Sequence, residues 1–373
     1  MTANIVVVGG GLYGCATALH LRRKGAKVTL LERENALFRR ASRWNQARIH
    51  RGYHYPRSVA TATSCARNFD RFCREYAGAV RRGFSAIYAV AAQGSRVTRR
   101  QFESFAERVG IPLHPAPKDI AELFDTELVE AAYLVDEPVL DADALATQFK
   151  RELENEAVDV RCALEATAIE RDGDRLRVRT ASGALAADFV FHCGYAAFNG
   201  LASSVDPEAG LKQEIAEIAY VDPGPSLRNV GITLMDGPFF SLLPFPPLGL
   251  TSFTHVRYTR RGSWIDTGGP EATARLAFSP PKRSNFPLMV GDAVRYVPTL
   301  KECRWFESRY ELRTILERST TDDGRPILLR RDPSHPRVFS VLGSKLDNVF
   351  DYLGVLDGIL ESDPVWHRTA KVA

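Results

Sequence analysis

The feature that most constrains the fold is a glycine-rich turn, GGGLYG at residues 9–14, with a predicted strand before it and a predicted helix after it. Residues 5–8 form a short β-branched run of the kind found in buried parallel strands. Residues 15–23 carry apolar side chains at near-helical spacing, and the strand-like run of residues 27–31 ends at Glu32. This order predicts a strand–helix–strand unit in which the turn opens the helix.

The turn has the residues that a dinucleotide pyrophosphate requires. Gly9 permits the tight bend, Gly11 lets the backbone approach the phosphates, and Gly14 allows the helix to pack closely on the strand. The free amides at the helix start hold the anion. Glu32 can accept hydrogen bonds from a ribose diol, which favours FAD or NAD over NADP. A purely structural glycine turn is the alternative.

Composition excludes several classes of protein. With 373 residues, of which 45% are hydrophobic and 25% charged, the chain is long enough for two domains and too apolar to be disordered. The formal net charge of +4 is spread along the chain, which gives no case for a nucleic-acid or membrane surface. No apolar run approaches the ~18–20 residues of a membrane span, and we expect a cytoplasmic protein. The cysteines and histidines show no ligand spacing, so no metal site is expected.

Periodicity predicts further elements along the chain. Many glycines and prolines break the alternating pattern of residues 210–300, which indicates an antiparallel sheet. The predicted helices lie near residues 60–76, 99–109, 141–156, 300–317 and 343–360. The predicted strands lie near residues 84–91, 160–169, 176–180, 187–191, 216–221, 239–243, 251–258, 288–296 and 338–342.

The segment after Glu32 departs from a regular nucleotide-binding domain. Residues 34–60 are irregular and rich in Arg, His, Tyr and Asn, whereas an NAD-binding domain should continue with regular strand–helix units. The next compact group of strands, residues 158–190, follows only after a long insertion. These features favour FAD, and an NAD-dependent dehydrogenase is the weaker alternative.

Stretches along nearly the whole chain carry a family resemblance. They are the opening strand–helix–strand unit with Glu32, residues 45–56, Val135-Asp136 before a predicted helix at Asp141, residues 180–194, the turn at residues 323–326 and Gly343-Ser344-Lys345. A chain with these parts resembles the D-amino-acid oxidase (DAO) superfamily of FAD-dependent oxidoreductases. Its local similarity is greatest to the L-2-hydroxyglutarate dehydrogenase branch, at Asn45, Ile49-His50, Gly52, Tyr55-Pro56 and Cys65.

The resemblance implies an α/β (α+β) fold with two domains. A Rossmann-like FAD-binding domain would be assembled from residues 1–80, 140–210 and 310–373. An antiparallel-sheet substrate-binding domain would comprise residues 81–139 and 211–309.

The resemblance also implies which residues bind FAD. The turn would meet the pyrophosphate, Glu32 the adenosine ribose, residues 42–47 the ribityl chain and isoalloxazine, and residues 343–347 the pyrimidine edge of the flavin. Ala47 stands where the family usually has glycine. In chain order the implied residues are Gly9, Gly11, Leu12, Tyr13, Gly14, Glu32, Arg33, Ser42, Arg43, Asn45, Gln46, Ala47, Thr167, Ala168, Cys193, Gly194, Gly343, Ser344, Lys345, Leu346 and Asp347.

A smaller set of residues is expected to act on the substrate. Hydride transfer needs the substrate carbon fixed over the flavin, and a base where the leaving proton sits on oxygen. His50 is the leading base because its stretch is implied to run past the flavin, and a structural histidine is the alternative. The catalytic candidates are His50, Tyr55, His255, Arg257, Arg318 and Lys345, and the secondary ones are His54, Arg48 and Arg51.

The function expected from these features is an FAD-dependent oxidoreductase. It would oxidise a C–N or C–OH bond of a small amine, amino acid or 2-hydroxy acid by hydride transfer to flavin N5, with oxygen or another electron acceptor as partner. One alternative keeps the fold and places the reaction on a larger biosynthetic intermediate, such as a carrier- or sugar-linked amine. Another is a flavin-binding partner protein without catalysis.

Overall fold

The computed structural model describes residues 2–201, 210–268, 279–316, 327–343, 345–363 and 366. Its helices are α1 Leu12–Arg23, α2 Val59–Glu75, α3 Arg99–Val109, α4 Lys118–Ala121, α5 Ala142–Asn155, α6 Phe286–Ala293 and α7 Val349–Ser362. Its strands are β1 Asn4–Val8, β2 Lys27–Leu31, β3 Val80–Arg81, β4 Ser85–Ala91, β5 His114–Pro115, β6 Val129–Val135, β7 Val139–Leu140, β8 Asp159–Arg161, β9 Ala166–Asp172, β10 Arg175–Thr180, β11 Gly183–Ala187, β12 Phe189–His192, β13 Leu211–Asp222, β14 Val230–Leu234, β15 Phe240–Phe245, β16 Leu250–His255, β17 Arg260–Ile265, β18 Arg304–Leu316, β19 Leu328–Arg331 and β20 Val338–Leu342.

Six strands form the sheet that carries the glycine-rich turn, in the order β19-β20-β12-β1-β2-β8. All neighbours in it are parallel except β19 and β20. Val6 and Val7 of the central strand β1 are buried, as the β-branched run predicts. Helices α1, α5 and α7 pack together in one apolar cluster with this sheet. The turn after β1 therefore opens at the carboxyl edge of a parallel sheet, where such sheets bind ligands.

A second sheet has the order β17-β13-β16-β15-β14-β4-β6-β5, with β18 also paired to β13. Its neighbours are antiparallel except for β4 and β14. One face packs on α6 through Phe253, Phe286 and Met289. The other face turns toward the segment after β2, because Gln46 donates a hydrogen bond to Thr254 of β16. The antiparallel sheet predicted over residues 210–300 is thus present, and two smaller sheets are β11-β10-β9 and β3-β7.

Four elements differ from their predictions. Residues 160–169, predicted as one strand, divide between β8 of the six-stranded sheet and β9 of the three-stranded sheet, because the chain turns at Ala163, which has a φ of +54°. Most of residues 288–296, predicted as a strand, lie in α6, which begins with a proline in its first turn, a position that proline favours. Residues 300–317, predicted as a helix, form a 3-10 turn and then β18, because β18 pairs with β13 along almost its whole length. The last helix begins at Val349 instead of residue 343.

The two large sheets draw on interleaved parts of the chain. Strands β1, β2, β8 and β12 enter the six-stranded sheet before the chain runs through β13–β18, and β19 and β20 then return to it. This interleaving confirms the predicted α/β (α+β) class, with a nucleotide-type sheet built from separated segments. No helix in the described part of the chain combines the length and apolarity that crossing a lipid bilayer would require.

Candidate active site

Two glycines of the turn are required by close backbone contacts. Gly9 has a φ of +105°, and a Cβ there would lie 2.7 Å from the carbonyl oxygen of Cys193 at the end of β12. A Cβ at Gly14 would lie 1.7 Å from the carbonyl oxygen of Gly9. Neither position can accept a side chain without moving backbone. The contacts also place Cys193-Gly194 directly against the turn.

The side chains of Glu32 and Ser42 accept hydrogen bonds from the backbone of the turn. The buried Glu32 carboxylate accepts hydrogen bonds from the backbone N–H of Gly10 at 2.5 Å and of Glu34 at 2.8 Å. The Ser42 hydroxyl accepts from the backbone N–H of Leu12 at 3.0 Å, at the start of α1. Each carboxylate oxygen keeps a lone pair for a ribose hydroxyl. The backbone N–H groups at the start of α1 fit the pyrophosphate of FAD, and the neighbouring Glu32 carboxylate fits its ribose.

The late loop that precedes α7 closes onto the same turn. The Tyr13 hydroxyl donates a hydrogen bond to the carbonyl oxygen of Lys345 at 2.8 Å. A Cβ at Gly343 would lie 1.8 Å from the Tyr13 ring, so the loop backbone sits directly on that ring. Within the described residues, neither oxygen of the Asp347 carboxylate, which is 1% exposed, has a hydrogen-bond partner. A buried acceptor of this kind fits the donor groups of a flavin pyrimidine ring.

Lys345 brings a buried positive charge to this loop. Its Nζ atom lies 2.7 Å from Sγ of Cys65, on α2, and 3.9 Å from Oδ2 of Asp347. The same nitrogen lies 5.0 Å from the centre of the Tyr55 ring. Burial raises the pKa of the Cys65 thiol far above its usual value, and Asp347 adds to that rise while Lys345 opposes it. The thiol therefore stays protonated beside the ammonium group.

His50 lies between Tyr55 and an acid that the sequence analysis did not single out. Its Nε2 atom is 3.4 Å from the Tyr55 hydroxyl, and its Nδ1 atom is 3.6 Å from Oε1 of Glu137. The rings of His50 and His54 have centres 5.5 Å apart. Burial lowers the pKa of His50 below its ordinary value, although the Glu137 carboxylate opposes that shift. His50 is therefore neutral at pH 7 and able to accept a proton.

Glu137 contacts several other members of this cluster. It accepts hydrogen bonds from the Tyr88 hydroxyl at 2.7 Å and from the backbone N–H of Arg51 at 3.0 Å, and its Oε2 lies 3.6 Å from Nη1 of Arg48. Burial alone would raise the pKa of Glu137, but contacts with His50, Arg48 and Tyr88 hold it below its usual value. The signal that could have identified Glu137 was its position beside Pro138, just after the apolar strand β6.

The segment of residues 43–47 joins the two sheets. Asn45 folds it back, since its Oδ1 accepts from the Ala47 N–H at 2.6 Å, and Gln46 Nε2 donates to Thr254 Oγ1 at 2.6 Å. Ala47 has a φ of +59°, the left-handed region that glycine adopts without strain. Arg43, in the same segment, forms an ion pair with Asp143, in which Nε lies 2.6 Å from Oδ1.

Other predicted residues lie away from this cluster. His255 is on the α6 side of its sheet, with its Nε2 3.0 Å from Asp292, and Arg257 is exposed in the turn after β16. His255 is thus separated from His50 by the sheet, because side chains alternate between its faces. Among the residues that the resemblance implies for FAD binding, Arg33 and Thr167 are exposed and Ala168 is half-buried. Leu346 packs against the cluster of α1 and α7.

Some predictions fall on parts of the chain that the structure does not describe. They are Arg318, Ser344 and the turn at residues 323–326. Cys303 packs against the apolar cluster on the α6 side of the second sheet. In the described ranges, no group of three or more His, Cys, Asp and Glu side chains has the arrangement of a metal site.

Comparison with known proteins gives the family. The family model described as FAD dependent oxidoreductase (DAO) matches residues 4–345. The FAD-dependent monooxygenase kojA of Aspergillus flavus is 30% identical to this chain over 70% of the chain's residues. The chain covers 64% of the length of that relative. The FAD-dependent monooxygenase FPY4 of Fusarium mangiferae is 27% identical over 93% of this chain and 88% of its own.

A solved structure and a short local match agree with this result. The FAD-bound L-alpha-glycerophosphate oxidase of Mycoplasma pneumoniae superimposes with a TM-score of 0.72 at 17% identity, over 97% of this chain and 96% of its own. The L-2-hydroxyglutarate dehydrogenase of Indibacter alkaliphilus is 31% identical over 80 residues, 20% of each chain, which confirms the local resemblance. The chain therefore belongs to the DAO family of FAD-dependent oxidoreductases, and its cofactor is FAD.

Proposed function

We propose that this enzyme oxidises a C–OH or C–N bond of a small molecule, with His50 as the base. The observation that supports this role is the cluster of His50, Tyr55 and Glu137 next to Lys345, because it places a neutral imidazole among buried polar groups. A neutral imidazole is the form that accepts a proton. Burial lowers the pKa of His50, so this form persists at and somewhat below neutral pH.

The proposed reaction removes a hydride and a proton from the substrate. When bound, FAD supplies the acceptor for the hydride that leaves the substrate carbon. His50 Nε2 takes the proton from the oxygen or nitrogen, and the remaining electron pair forms the C=O or C=N bond. Tyr55 packs beside the imidazole, with ring centres 5.1 Å apart, and Glu137 balances the positive charge that His50 gains. Lys345, in the late loop, lies 3.9 Å from Asp347 and 5.0 Å from the centre of the Tyr55 ring, at the edge of this cluster.

The test is anaerobic mixing of the yellow, FAD-loaded protein with amines, amino acids and hydroxy acids. Bleaching of the flavin absorbance by one of these sets identifies the substrate class. The His50→Ala variant should keep its FAD and lose about 10²–10⁴-fold in the rate of flavin reduction. His20→Ala is the matched control, since His20 pairs with Asp357 on the far side of α1.

The outcomes separate the alternatives. A near-normal rate in His50→Ala would remove His50 from the reaction. A flavin that dithionite reduces but no substrate reduces would favour a flavin-binding protein without catalysis. Reduction only by larger compounds, such as carrier- or sugar-linked amines, would favour a biosynthetic intermediate as substrate.

The names of two relatives favour a second candidate, monooxygenation. In that reaction one atom of dioxygen would enter the product, and two electrons from a reduced nicotinamide would convert the other atom to water. Isotope-labelled dioxygen distinguishes the two reactions. Label in the product supports monooxygenation, whereas label only in hydrogen peroxide supports oxidation with oxygen as electron acceptor.

A further inference from the structure

A row of hydroxyl groups crosses the second sheet. Thr233 of β14 pairs with Tyr88 of β4 on one side and with Ser241 of β15 on the other, and Ser241 pairs with Thr254 of β16. Residues directly paired in a ladder point to the same face, and adjacent strands lie about 4.8 Å apart. The four side chains therefore form one polar row across four strands, which we call the hydroxyl row.

Both ends of the hydroxyl row contact the segment that carries His50. Arg48 donates a hydrogen bond to the Tyr88 hydroxyl, and Gln46 donates to Thr254. The neighbouring row, Ile87, Ile232, Leu242 and Phe253, points the other way into the apolar cluster with α6. The hydroxyl row thus belongs to the face that turns toward the candidate active site.

The middle of the row is buried and unsatisfied. Thr233 is 1% exposed, and its Oγ1 has no hydrogen-bond partner among the described residues. Ser241 beside it is 7% exposed. Nη2 of the buried Arg48 is likewise without a partner in the described structure. Buried polar atoms of this kind destabilise a protein when they are unpaired, so a ligand that pairs them gains affinity.

Two buried cations near this face each lie beside a carboxylate. Arg48 lies 3.6 Å from Glu137, and the side chains of both are 3% exposed. Lys345 lies 3.9 Å from Asp347, with side chains 3% and 1% exposed. His50 is neutral because burial lowers its pKa. Among the described residues, Arg48 and Lys345 each have a carboxylate partner, so the carboxylate of an amino acid or a 2-hydroxy acid would have to compete with that partner for either cation.

We propose that the site takes a neutral, polyhydroxylated substrate, a sugar or polyol, whose hydroxyl groups bind to Thr233 and Ser241. This inference rests on the proposed function and narrows it to C–OH oxidation. Hydroxyl side chains both donate and accept hydrogen bonds, as the hydroxyl groups of a sugar do, whereas an ammonium group only donates and a carboxylate only accepts. The substrate carbinol loses a hydride to the cofactor and a proton to His50, and a carbonyl product results.

The test compares three sets of compounds in anaerobic reduction of the FAD-loaded protein. They are D-glucose, D-xylose and D-sorbitol; glycine, D-alanine and L-proline; and L-lactate and L-2-hydroxyglutarate. We expect reduction by the first set. Reduction by amino acids or hydroxy acids, with sugars and polyols inert, would overturn the inference and leave the proposed function standing. A flavin that none of these compounds reduces would count against both.

A pair of variants tests the residues. Thr233→Val keeps the shape of the side chain and removes its hydroxyl, so KM for the sugar or polyol should rise about tenfold or more with kcat nearly unchanged. The sugar concentration that half-perturbs the oxidised flavin spectrum, or half-raises Tm, should rise equally. Thr251→Val is the matched control, because Thr251 is a buried residue of β16 whose position in the strand places it on the opposite face. Equal effects of both variants, or none of Thr233→Val, would show that the row does not bind the substrate.

Discussion

At the scale of single residues, burial decides which groups carry charge near neutrality. Glu137 remains ionised although it is 4% exposed, because Arg48, His50 and Tyr88 surround it. His50 loses its charge in the same cluster because the cost of burying an imidazolium exceeds the attraction of Glu137. Glu137 is thus ionised while the neighbouring His50 is neutral, as a site that accepts a proton on the histidine requires.

A second buried histidine leads to a prediction about stability. His192, at the end of β12, is 2% exposed, and burial lowers its pKa to about 4, with the charge of Arg330 adding to the shift. The unfolded chain binds this proton below about pH 6.5, whereas the folded chain binds it only near pH 4. Stability is therefore lost as the pH falls from 6.5 to 4, by about 2 kcal/mol at pH 5.

The variant His192→Gln removes this titration. Its free energy of unfolding, measured by urea denaturation at pH 7, 6 and 5, should fall less steeply with decreasing pH than that of the parent protein. The comparison uses the slope, because the substitution also changes packing at every pH. An identical slope in both proteins would mean that His192 has the same pKa in the folded and unfolded states.

At the scale of elements, local patterns succeed where neighbours in sequence decide the structure. The helix predicted at residues 99–109 is α3, with Thr98 and Gln101 forming a capping box at its start. The sequence of β18 is compatible with a helix, but it forms a strand because β13 lies beside it. A pairing partner nearly a hundred residues away leaves no signal in the local sequence.

The turn at the start of α1 gives a prediction for this element. In Gly14→Ala the new Cβ would clash with the Gly9 carbonyl oxygen at 1.7 Å, and no side-chain movement can relieve a clash with backbone. In Gly11→Ala the nearest atom is the Ser42 hydroxyl at 2.8 Å, which can rotate away. Gly14→Ala should therefore lower Tm strongly and purify without FAD, whereas Gly11→Ala should keep its fold.

The two variants serve as controls for each other. Far-ultraviolet circular dichroism and thermal melting report folding, and the visible absorbance of flavin reports FAD content. Gly11→Ala is expected to weaken FAD binding without the loss of stability, since the added methyl group occupies the path of the pyrophosphate. A Gly14→Ala protein with normal Tm and full FAD content would show that the turn tolerates a wider separation of α1 from β1.

At the scale of the whole molecule, the site joins residues that are far apart in the chain. The sequence predicted the glycine-rich turn and Glu32 from a local motif, and His50 from the family resemblance of its stretch. It did not identify Glu137, whose role exists only because the strand β6 ends beside Arg48 and His50. It also placed His255 in the site, because periodicity does not tell which face of a strand meets the cofactor. The two-domain division stays a prediction.

The contact between the amino-terminal turn and the late loop gives the last prediction. Tyr13→Phe removes the hydrogen bond to the Lys345 carbonyl, the link from α1 to the loop at residues 343–347. Tyr352→Phe is a matched control, because it removes a buried hydrogen bond to Thr17 that joins α7 to α1 without involving that loop. Each variant should lose about 1 kcal/mol of stability. Only Tyr13→Phe should also raise the Kd for FAD, measured by flavin fluorescence on rebinding to apoprotein, since only that variant releases the loop. Equal Kd values for the two variants would show that this hydrogen bond does not hold the loop against the cofactor.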